Sequence, residues 1–237
     1  MNVREPSEKP LISIIIPTLN EADNLSATLA NAQKSKDVEI VVVDGGSSDG
    51  TDELAKSFGV RLLVTAAGRA NQANAGALVA KGTILLFLHA DTRLPEGFDR
   101  DIRRVLANPS AVAGAFKLAI EGAGMGLRII EKLANSRARF MQMPYGDQAI
   151  FLKADLFRSL GGFPDMPIME DFVLVQRLRK EGRIVIAPTA VITSARRWLK
   201  LGVLKTTLIN QAVLVAYFLG SNPARLARWY EKSELRD

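Results

Sequence analysis

The first ninety residues alternate between two hydrophobic patterns. Short apolar runs rich in β-branched residues predict strands at Leu11–Ile16, Val38–Val43, Arg61–Val64 and Thr83–Leu88. Between them, apolar positions recur at helical spacing, which predicts helices at Asp23–Gln33, Thr51–Phe58 and Ala70–Ala80. Strands that alternate with helices indicate βαβ units and a parallel sheet. The fold class predicted from this half is therefore α/β.

After residue 110 the alternation is looser. The pattern predicts strands at Val112–Ile120 and Ala149–Lys153, and helices at Leu127–Met141 and Glu170–Glu181. No internal repeat or low-complexity segment interrupts the chain. We therefore predict one domain over residues 1–237.

One later segment, Leu208–Gly220, is unusual because residues 212–219 are apolar on every side. It is too short to span a bilayer, for which about 20 apolar residues are needed. Three placements stay open: burial against its own domain, contact with a second copy of the chain as a homodimer, or peripheral contact with a membrane. Cations on both sides of the segment suit anionic lipid headgroups.

The composition excludes several kinds of site. A chain of 237 residues with 48% hydrophobic and 24% charged residues is ordinary for a globular protein. The absence of cysteine and the single histidine exclude a disulfide framework, a thiol nucleophile and a multi-histidine metal site. Acidic residues and prolines precede the first apolar run, so the N-terminus lacks a signal-peptide pattern and we expect a cytoplasmic protein.

The net charge of +6 is unevenly distributed. Residues 176–237 contain 12 Lys and Arg against 4 Asp and Glu, whereas the rest contains 19 against 21. A basic C-terminal quarter predicts a phosphate-bearing partner, either a small ligand, an anionic membrane or nucleic acid. No nucleic-acid motif accompanies it, so we expect no nucleic-acid partner.

Candidate functional residues follow the predicted strands, because ligands of parallel sheets bind at the carboxyl ends of the strands. His89 and Asp91 follow the fourth strand in "LLFLHADT", and strand alternation predicts that they share a side. One carboxylate with phosphate oxygens can hold a divalent cation. The structural alternatives are a packed, hydrogen-bonded His89 and an Asp91 that caps the helix after Pro95.

Two further acidic positions have both a structural and a functional interpretation. Asp44 ends the second strand before a Gly-Ser turn, where it can face a nucleotide or only stabilise the turn. Glu170 and Asp171 begin a predicted helix, a position that favours acids through the helix dipole. Neither a Gly-x-Gly-x-x-Gly fingerprint nor a Walker loop follows the first strand, which argues against hydride transfer and ATP hydrolysis.

The order of the motifs resembles family 2 glycosyltransferases with the GT-A fold, a Rossmann-like mixed, mostly parallel sheet flanked by helices. The motifs are "ISIIIPTLNE", "VVVDGGSSDGT", "GRANQANAGA", "LLFLHADT", "YGDQAIF" and "EDFVLVQRLRKEG". The variant is most similar to a bacterial subgroup of radical-SAM/selenodomain-associated glycosyltransferases. The resemblance implies a nucleotide-binding half at about 11–110, an acceptor and catalytic half at about 111–195, and a helical segment at about 196–237.

The resemblance also implies site residues. Those implied to bind the donor nucleotide are Pro17, Thr18, Glu21, Asp44, Arg69, Ala90 and Asp91. A divalent cation, Mn²⁺ or Mg²⁺, would bind Asp91 with His89 beside it, and Asp171 would be the catalytic base. The residues implied to contact the donor or acceptor sugar are Asp147, Gln148 and Glu170. Arg196 and Arg197 are candidates for the diphosphate.

Three positions depart from the family pattern. Leu19 replaces a common tyrosine, and His89 replaces the first acid of the family's Asp-x-Asp motif. Ser194 replaces the glutamine of the Gln-x-x-Arg-Trp motif of processive synthases, so we expect no repeated polymer extension.

The activity implied is inverting, metal-dependent transfer of a sugar from a UDP- or GDP-sugar to an acceptor hydroxyl. The acceptor stays open, with a lipid-linked acceptor among the candidates. A sugar-phosphate nucleotidyltransferase and a non-catalytic nucleotide-sugar-binding protein are the alternatives.

Overall fold

The computed structural model describes residues 11–235. The strands are β1 (Ile12–Thr18), β2 (Val38–Asp44), β3 (Arg61–Val64), β4 (Ile84–Phe87), β5 (Thr92–Arg93), β6 (Ala111–Ile120), β7 (Phe151–Lys153) and β8 (Arg183–Thr193). The first helices are α1 (Ala22–Ala32), α2 (Thr51–Ser57), α3 (Arg69–Val79), α4 (Phe98–Leu106) and α5 (Met125–Met141). A 3₁₀ turn at Gly146–Gln148 precedes α6 (Ala154–Ser159), α7 (Glu170–Glu181), α8 (Arg196–Leu201), α9 (Val203–Phe218) and α10 (Pro223–Leu235).

The strands form one sheet in the order β3-β2-β1-β4-β7-β6-β8-β5. In the first half, β1 pairs in parallel with β2 and β4, and β2 pairs in parallel with β3. In the second half, β7 is antiparallel to β4 and β6, β8 is parallel to β6, and β5 is antiparallel to β8. The predicted α/β class with a mixed, mostly parallel sheet is confirmed.

Helices cover both faces of the sheet because the central strands are apolar on both faces. Along β1, Ile12, Ile14 and Ile16 pack into one core cluster, which includes residues of α1. Ile15 points to the other face and packs with alanines of α3. The close approach of α3 to β1 depends on Gly76, since a Cβ there would lie 2.5 Å from Ile15 Cγ2.

The first strand runs further than the sequence predicts. Pro17 was expected to end it, but β1 continues through Pro17 to Thr18 beside β2. Pairing with β4 stops earlier, at Ile15 and Phe87. Along a central strand the backbone N–H groups point alternately to the two neighbouring strands. Pro17 lies at a position where no neighbouring strand needs the N–H that proline lacks.

The apolar C-terminal segment forms part of α9, and only one side of this helix is buried. Thr206, Ile209 and Val213 face the protein, whereas Leu204 and Leu208 on the opposite side are 73% and 60% exposed. Burial against its own domain therefore accounts for only part of this segment. None of the helices within residues 11–235 is long and apolar enough to cross a membrane.

The pairing of β6 with β7 generates a stability prediction. Gly114 faces Phe151, and a Cβ at Gly114 would lie 2.4 Å from two ring atoms of Phe151. We expect Gly114→Ala to lower the free energy of unfolding by about 1–3 kcal/mol through overpacking, measured by urea denaturation. Phe151→Leu should cost less stability in the Gly114→Ala background than in the parent, because the smaller side chain relieves the clash. Strictly additive effects of the two substitutions would contradict the steric explanation.

Candidate active site

The predicted site residues gather at the carboxyl ends of β1, β2 and β4, where the loop before β7 and the start of α7 also arrive. Asp44 ends β2 and is 2% exposed. Its Oδ2 accepts the backbone N–H groups of Gly46 and Ser47 at 2.9 and 2.8 Å, and its Oδ1 accepts the hydroxyl groups of Thr18 and Ser47. Asp44 thus fixes the geometry of the turn, and its contact with a nucleotide stays a prediction.

An ion pair joins the start of α1 to the C-terminal region. Arg196 Nη2 lies 2.7 Å from Glu21 Oε1, and the other Glu21 oxygen accepts the side-chain amide of Asn24 at 2.7 Å. The hydrogen bond that Arg196 donates to Glu21, with smaller contributions from the charges of Asp91 and Asp23, raises the pKa of Arg196. Arg196 therefore lies in the same electrostatic environment as Asp91.

Arg197, the residue after Arg196, has a different partner. The Arg197 guanidinium stacks over the ring of Tyr230 in α10, 4.3 Å from the ring centroid, and donates a hydrogen bond to the Tyr230 hydroxyl. The expectation that Arg197 meets the diphosphate is not supported, because its guanidinium is directed to α10.

His89 lies beyond the end of β4, in a turn where the Thr92 N–H donates to the His89 carbonyl at 3.2 Å. The strand alternation used to place His89 and Asp91 on one side therefore does not apply. The His89 ring instead contacts Gly146: a Cβ on Gly146 would lie 3.0 Å from His89 Nε2 and 3.2 Å from Asp171 Oδ2. Burial, with the nearby charge of Arg69, lowers the pKa of His89 to about 4, so the ring is neutral at pH 7.

Asp171 is held by backbone donors on both carboxylate oxygens. Its Oδ2 accepts the Gly146 N–H at 2.7 Å, and its Oδ1 accepts the N–H of Phe172 at 2.7 Å. Gly146 is a residue that the sequence analysis did not single out. Since any side chain there would meet both His89 and Asp171, the glycine is what allows the imidazole, the loop and the carboxylate to come together.

Two other acids share this environment. Burial raises the pKa of Glu170, which is 7% exposed, and the charge of Asp171 raises it further, while Arg69 acts in the opposite direction. The pKa of Asp147 is also raised, to about 6, mainly by burial. The charges of Asp171 and Asp91 raise it further, and the charge of Arg137 acts in the opposite direction. The Oδ1 atom of Asp147 is buried and accepts no hydrogen bond from the described residues.

Gln148 and Ala90 form hydrogen bonds that hold the loops of the site in place. The Gln148 side chain is fully buried; its Nε2 donates to the Phe116 carbonyl at 3.0 Å, and its Oε1 accepts the Tyr145 N–H at 3.3 Å. The expected contact of Gln148 with a sugar is therefore replaced by a positioning role. The Ala90 carbonyl likewise accepts the Thr28 hydroxyl at 2.7 Å, which fixes the turn that carries Asp91.

The carboxylates fit a cation that is shared with a ligand. Within residues 11–235, no group of three or more histidine and acidic side chains is placed to hold a metal ion. A cation on a diphosphate needs only one or two protein carboxylates, because phosphate oxygens complete its shell. Asp91 lines an open cavity of about 210 Å³. Asp147 is not among the residues that line this cavity, but the charge of Asp91 acts on it, and its Oδ1 accepts no hydrogen bond from the described residues.

Comparison with known families identifies this arrangement. A family model described as "Glycosyl transferase family 2" matches residues 13–157. The chain belongs to glycosyl transferase family 2. A PGL/p-HBAD biosynthesis glycosyltransferase of Mycobacterium bovis is 46% identical over 96 residues, 37% of this chain and 38% of the relative. Glycosyltransferase AglE of Haloferax volcanii is 35% identical over 96 residues, 36% and 32% of the two chains. These matches span only about a third of the relatives' length.

Solved structures share the fold. S. aureus TarS residues 1–349 in complex with UDP superimposes with a TM-score of 0.63 at 19% identity, covering 78% of this chain and 60% of TarS. Mannosyltransferase PcManGT from Pyrobaculum calidifontis, in complex with GDP-Man and Mn²⁺, gives a TM-score of 0.65 at 20% identity. That match covers 98% of this chain and 75% of PcManGT. The GT-A fold expected from the motif order is confirmed.

The raised pKa of Asp147 generates a pH-dependent stability prediction. Between pH 4 and 6 the folded protein keeps a proton on Asp147 that the unfolded chain, with a pKa near 3.8, has released. This contribution to stability is full below pH 4 and is lost as the pH rises through 6. We expect Asp147→Asn to be more stable than the parent at pH 8, by at most about 3 kcal/mol, with little difference near pH 3.5.

Urea denaturation of both proteins at several pH values measures this difference. His89, whose pKa is lowered, contributes in the opposite direction, but it is present in both proteins and largely cancels in the comparison. Equal stability of parent and variant at pH 8 would contradict the raised pKa.

Proposed function

We propose that the protein transfers a sugar from a nucleoside-diphosphate sugar to an acceptor hydroxyl, with inversion at the anomeric carbon. The observation that carries this proposal is the Asp171 carboxylate, oriented by two backbone N–H groups beside a glycine at the carboxyl edge of a family 2 sheet. Structural neighbours bound to UDP, UDP-GlcNAc and GDP-Man support a nucleotide-sugar donor.

In this reaction Asp171 is the base. Its carboxylate takes the proton of the acceptor hydroxyl while the hydroxyl oxygen forms a bond to the anomeric carbon. The bond between that carbon and the diphosphate breaks on the opposite face, and the electron pair leaves with the diphosphate. One such displacement inverts the configuration, and a general base contributes about 10²–10⁴-fold to its rate.

The donor nucleotide lies, in this proposal, along the ends of β1 and β2. Pro17, Thr18, Glu21 and Asp44 border that edge, and Arg69 begins α3 next to it. Arg196 brings a positive charge to the edge through its ion pair with Glu21, where it can neutralise phosphate oxygens. A UDP- or GDP-sugar suits these residues. Leu19, which stands where the family commonly has a tyrosine, would contact the nucleotide base.

A divalent cation, Mn²⁺ or Mg²⁺, when bound, would neutralise charge on the leaving diphosphate. Asp91 would hold it, and the buried Oδ1 of Asp147 is a second oxygen in the same region. PcManGT, a neighbour in fold, was solved with Mn²⁺. His89 was expected to join Asp91 on the metal, but its contact with Gly146 favours a place beside Asp171 as a neutral ring.

Transfer is proposed to occur once per acceptor. The Ser194 hydroxyl accepts the Arg196 N–H at 3.2 Å, so this short side chain serves the start of α8 where processive synthases have a glutamine. The motif variant "FLHADT" with "YGDQ" supports assignment to the radical-SAM-associated subgroup.

Calorimetry with UDP and GDP, each with and without Mn²⁺, tests the donor site. We expect one nucleotide to bind more tightly with Mn²⁺, and Asp91→Asn to remove that enhancement because it removes a ligand charge. Asp155→Asn is the matched control, since Asp155 is fully exposed on α6. Unchanged Mn²⁺-dependent affinity in Asp91→Asn would overturn the assignment of the metal ligand.

Asp171→Asn tests the chemical step. We expect the variant to bind nucleotide as the parent does but to turn over about 10²–10⁴-fold more slowly, because its amide cannot accept the acceptor proton. The readout is release of nucleoside diphosphate from the donor found by calorimetry, with transfer to water as the minimal acceptor. Turnover at the parent rate would place the base elsewhere, with Glu170 as the next candidate.

A further inference from the structure

The two longest helices leave apolar side chains in solvent. On α9, Leu204, Leu208, Val215, Phe218 and Leu219 follow helical spacing and are 57–80% exposed; we call these five residues the α9 stripe. Their face lies opposite the buried Thr206, Ile209 and Val213. A contiguous apolar face of this kind marks a surface that is covered by a partner.

The start of α5 extends this surface. Met125, Ile129 and Leu133 recur every four residues on α5 and are 50–81% exposed. The two helices touch at their starts, since a Cβ on Gly126 of α5 would lie 3.2 Å from Val203 Cγ1 of α9. The exposed apolar residues of α5 and α9 therefore begin close to the point where the two helices touch.

Positive charges accompany the apolar residues on both helices. Arg128, Lys132 and Arg139 lie on the exposed side of α5, between and beside its apolar residues. Lys200 and Lys205 flank the beginning of the α9 stripe, and the segment 196–218 contains no acidic residue. Arg128 is paired with Glu131 at 2.8 Å, so the excess positive charge of this surface comes from Lys132, Arg139 and Lys200.

We propose that this surface, the α9 stripe with the exposed face of α5, docks on an anionic membrane. Apolar side chains enter the interface between headgroups and acyl chains, while the cations pair with anionic headgroups. A second copy of this chain fits less well, because a two-fold contact would bring the cation-bearing surface of one copy against the same cation-bearing surface of the other. The proposal concerns where the protein binds and does not rest on the proposed reaction.

The surface also adjoins the acidic site. Phe218 of the α9 stripe packs edge-to-face on Phe172, with ring centroids 5.5 Å apart, and Tyr217 does so at 5.9 Å. Phe172 is buried and directly follows Asp171. When α9 is docked on a membrane, the start of α7, and with it Asp171, would therefore be held close to the membrane surface.

Vesicle sedimentation tests the proposal. The parent should sediment with vesicles of equal parts phosphatidylglycerol and phosphatidylcholine at low salt. It should sediment less at about 0.5 M salt, where charges are screened beyond about 4 Å. Leu204→Ser/Leu208→Ser should reduce the bound fraction to that on pure phosphatidylcholine, and Lys132→Glu/Arg139→Glu should weaken binding to anionic vesicles. Leu78→Ser is the control, since Leu78 on α3 is 84% exposed and lies outside this surface.

Three outcomes overturn the proposal: a parent that stays in the supernatant, equal binding of Leu204→Ser/Leu208→Ser, or a parent dimer in light scattering that this variant dissociates without any vesicle binding. Thermal unfolding and nucleotide calorimetry of each variant establish that it is folded. Loss of vesicle binding with intact nucleotide binding separates failure of docking from failure of the proposed transfer.

Discussion

Burial of β1 on both faces is the constraint from which the rest of the structure follows. Its isoleucines alternate between two core clusters, so helices have to cover each face of the sheet. The helical crossovers then bring the carboxyl ends of β1, β2 and β4 to one edge. The acid-rich region lies at this edge, which is where ligands of parallel sheets bind.

The second half completes the site through hydrogen bonds rather than through apolar packing. The turn at Gly146–Gln148 is held by the buried amide of Gln148, and it presents the Gly146 N–H to Asp171. Asp147, between these two residues, is left with a buried oxygen and a raised pKa. The fold therefore spends stability to keep a carboxylate where its charge is unfavourable, a pattern typical of functional sites.

The sequence predicts the first half well because its patterns are local. Strand β3 and helix α7 have the predicted bounds, and the other elements of the first ninety residues differ at their ends by one or two residues. Strand β8 was not predicted, although it is the longest, because Pro188 interrupts it and its buried residues do not alternate regularly. Its register with β6 shifts twice, which is a tertiary feature that no local pattern records.

The sequence singles out acids that lie near one another in the structure, but it does not predict how they are arranged. The motifs gave Asp91, Asp147 and Asp171, whereas the placement of His89 failed because the backbone turns after β4. The role of Gly146 depends on its contact with Asp171, which is 25 residues away in the sequence. The same holds for Arg197, whose partner Tyr230 lies 33 residues away in α10.

The glycine at 146 has a consequence for how this site can change during evolution. Its missing side chain leaves room that His89 and Asp171 share, and an added Cβ would require these side chains to move by a few tenths of an ångström. The side chain tolerated at position 146 therefore depends on the size of the side chain at position 89. Homologues should therefore show these two positions changing as a pair.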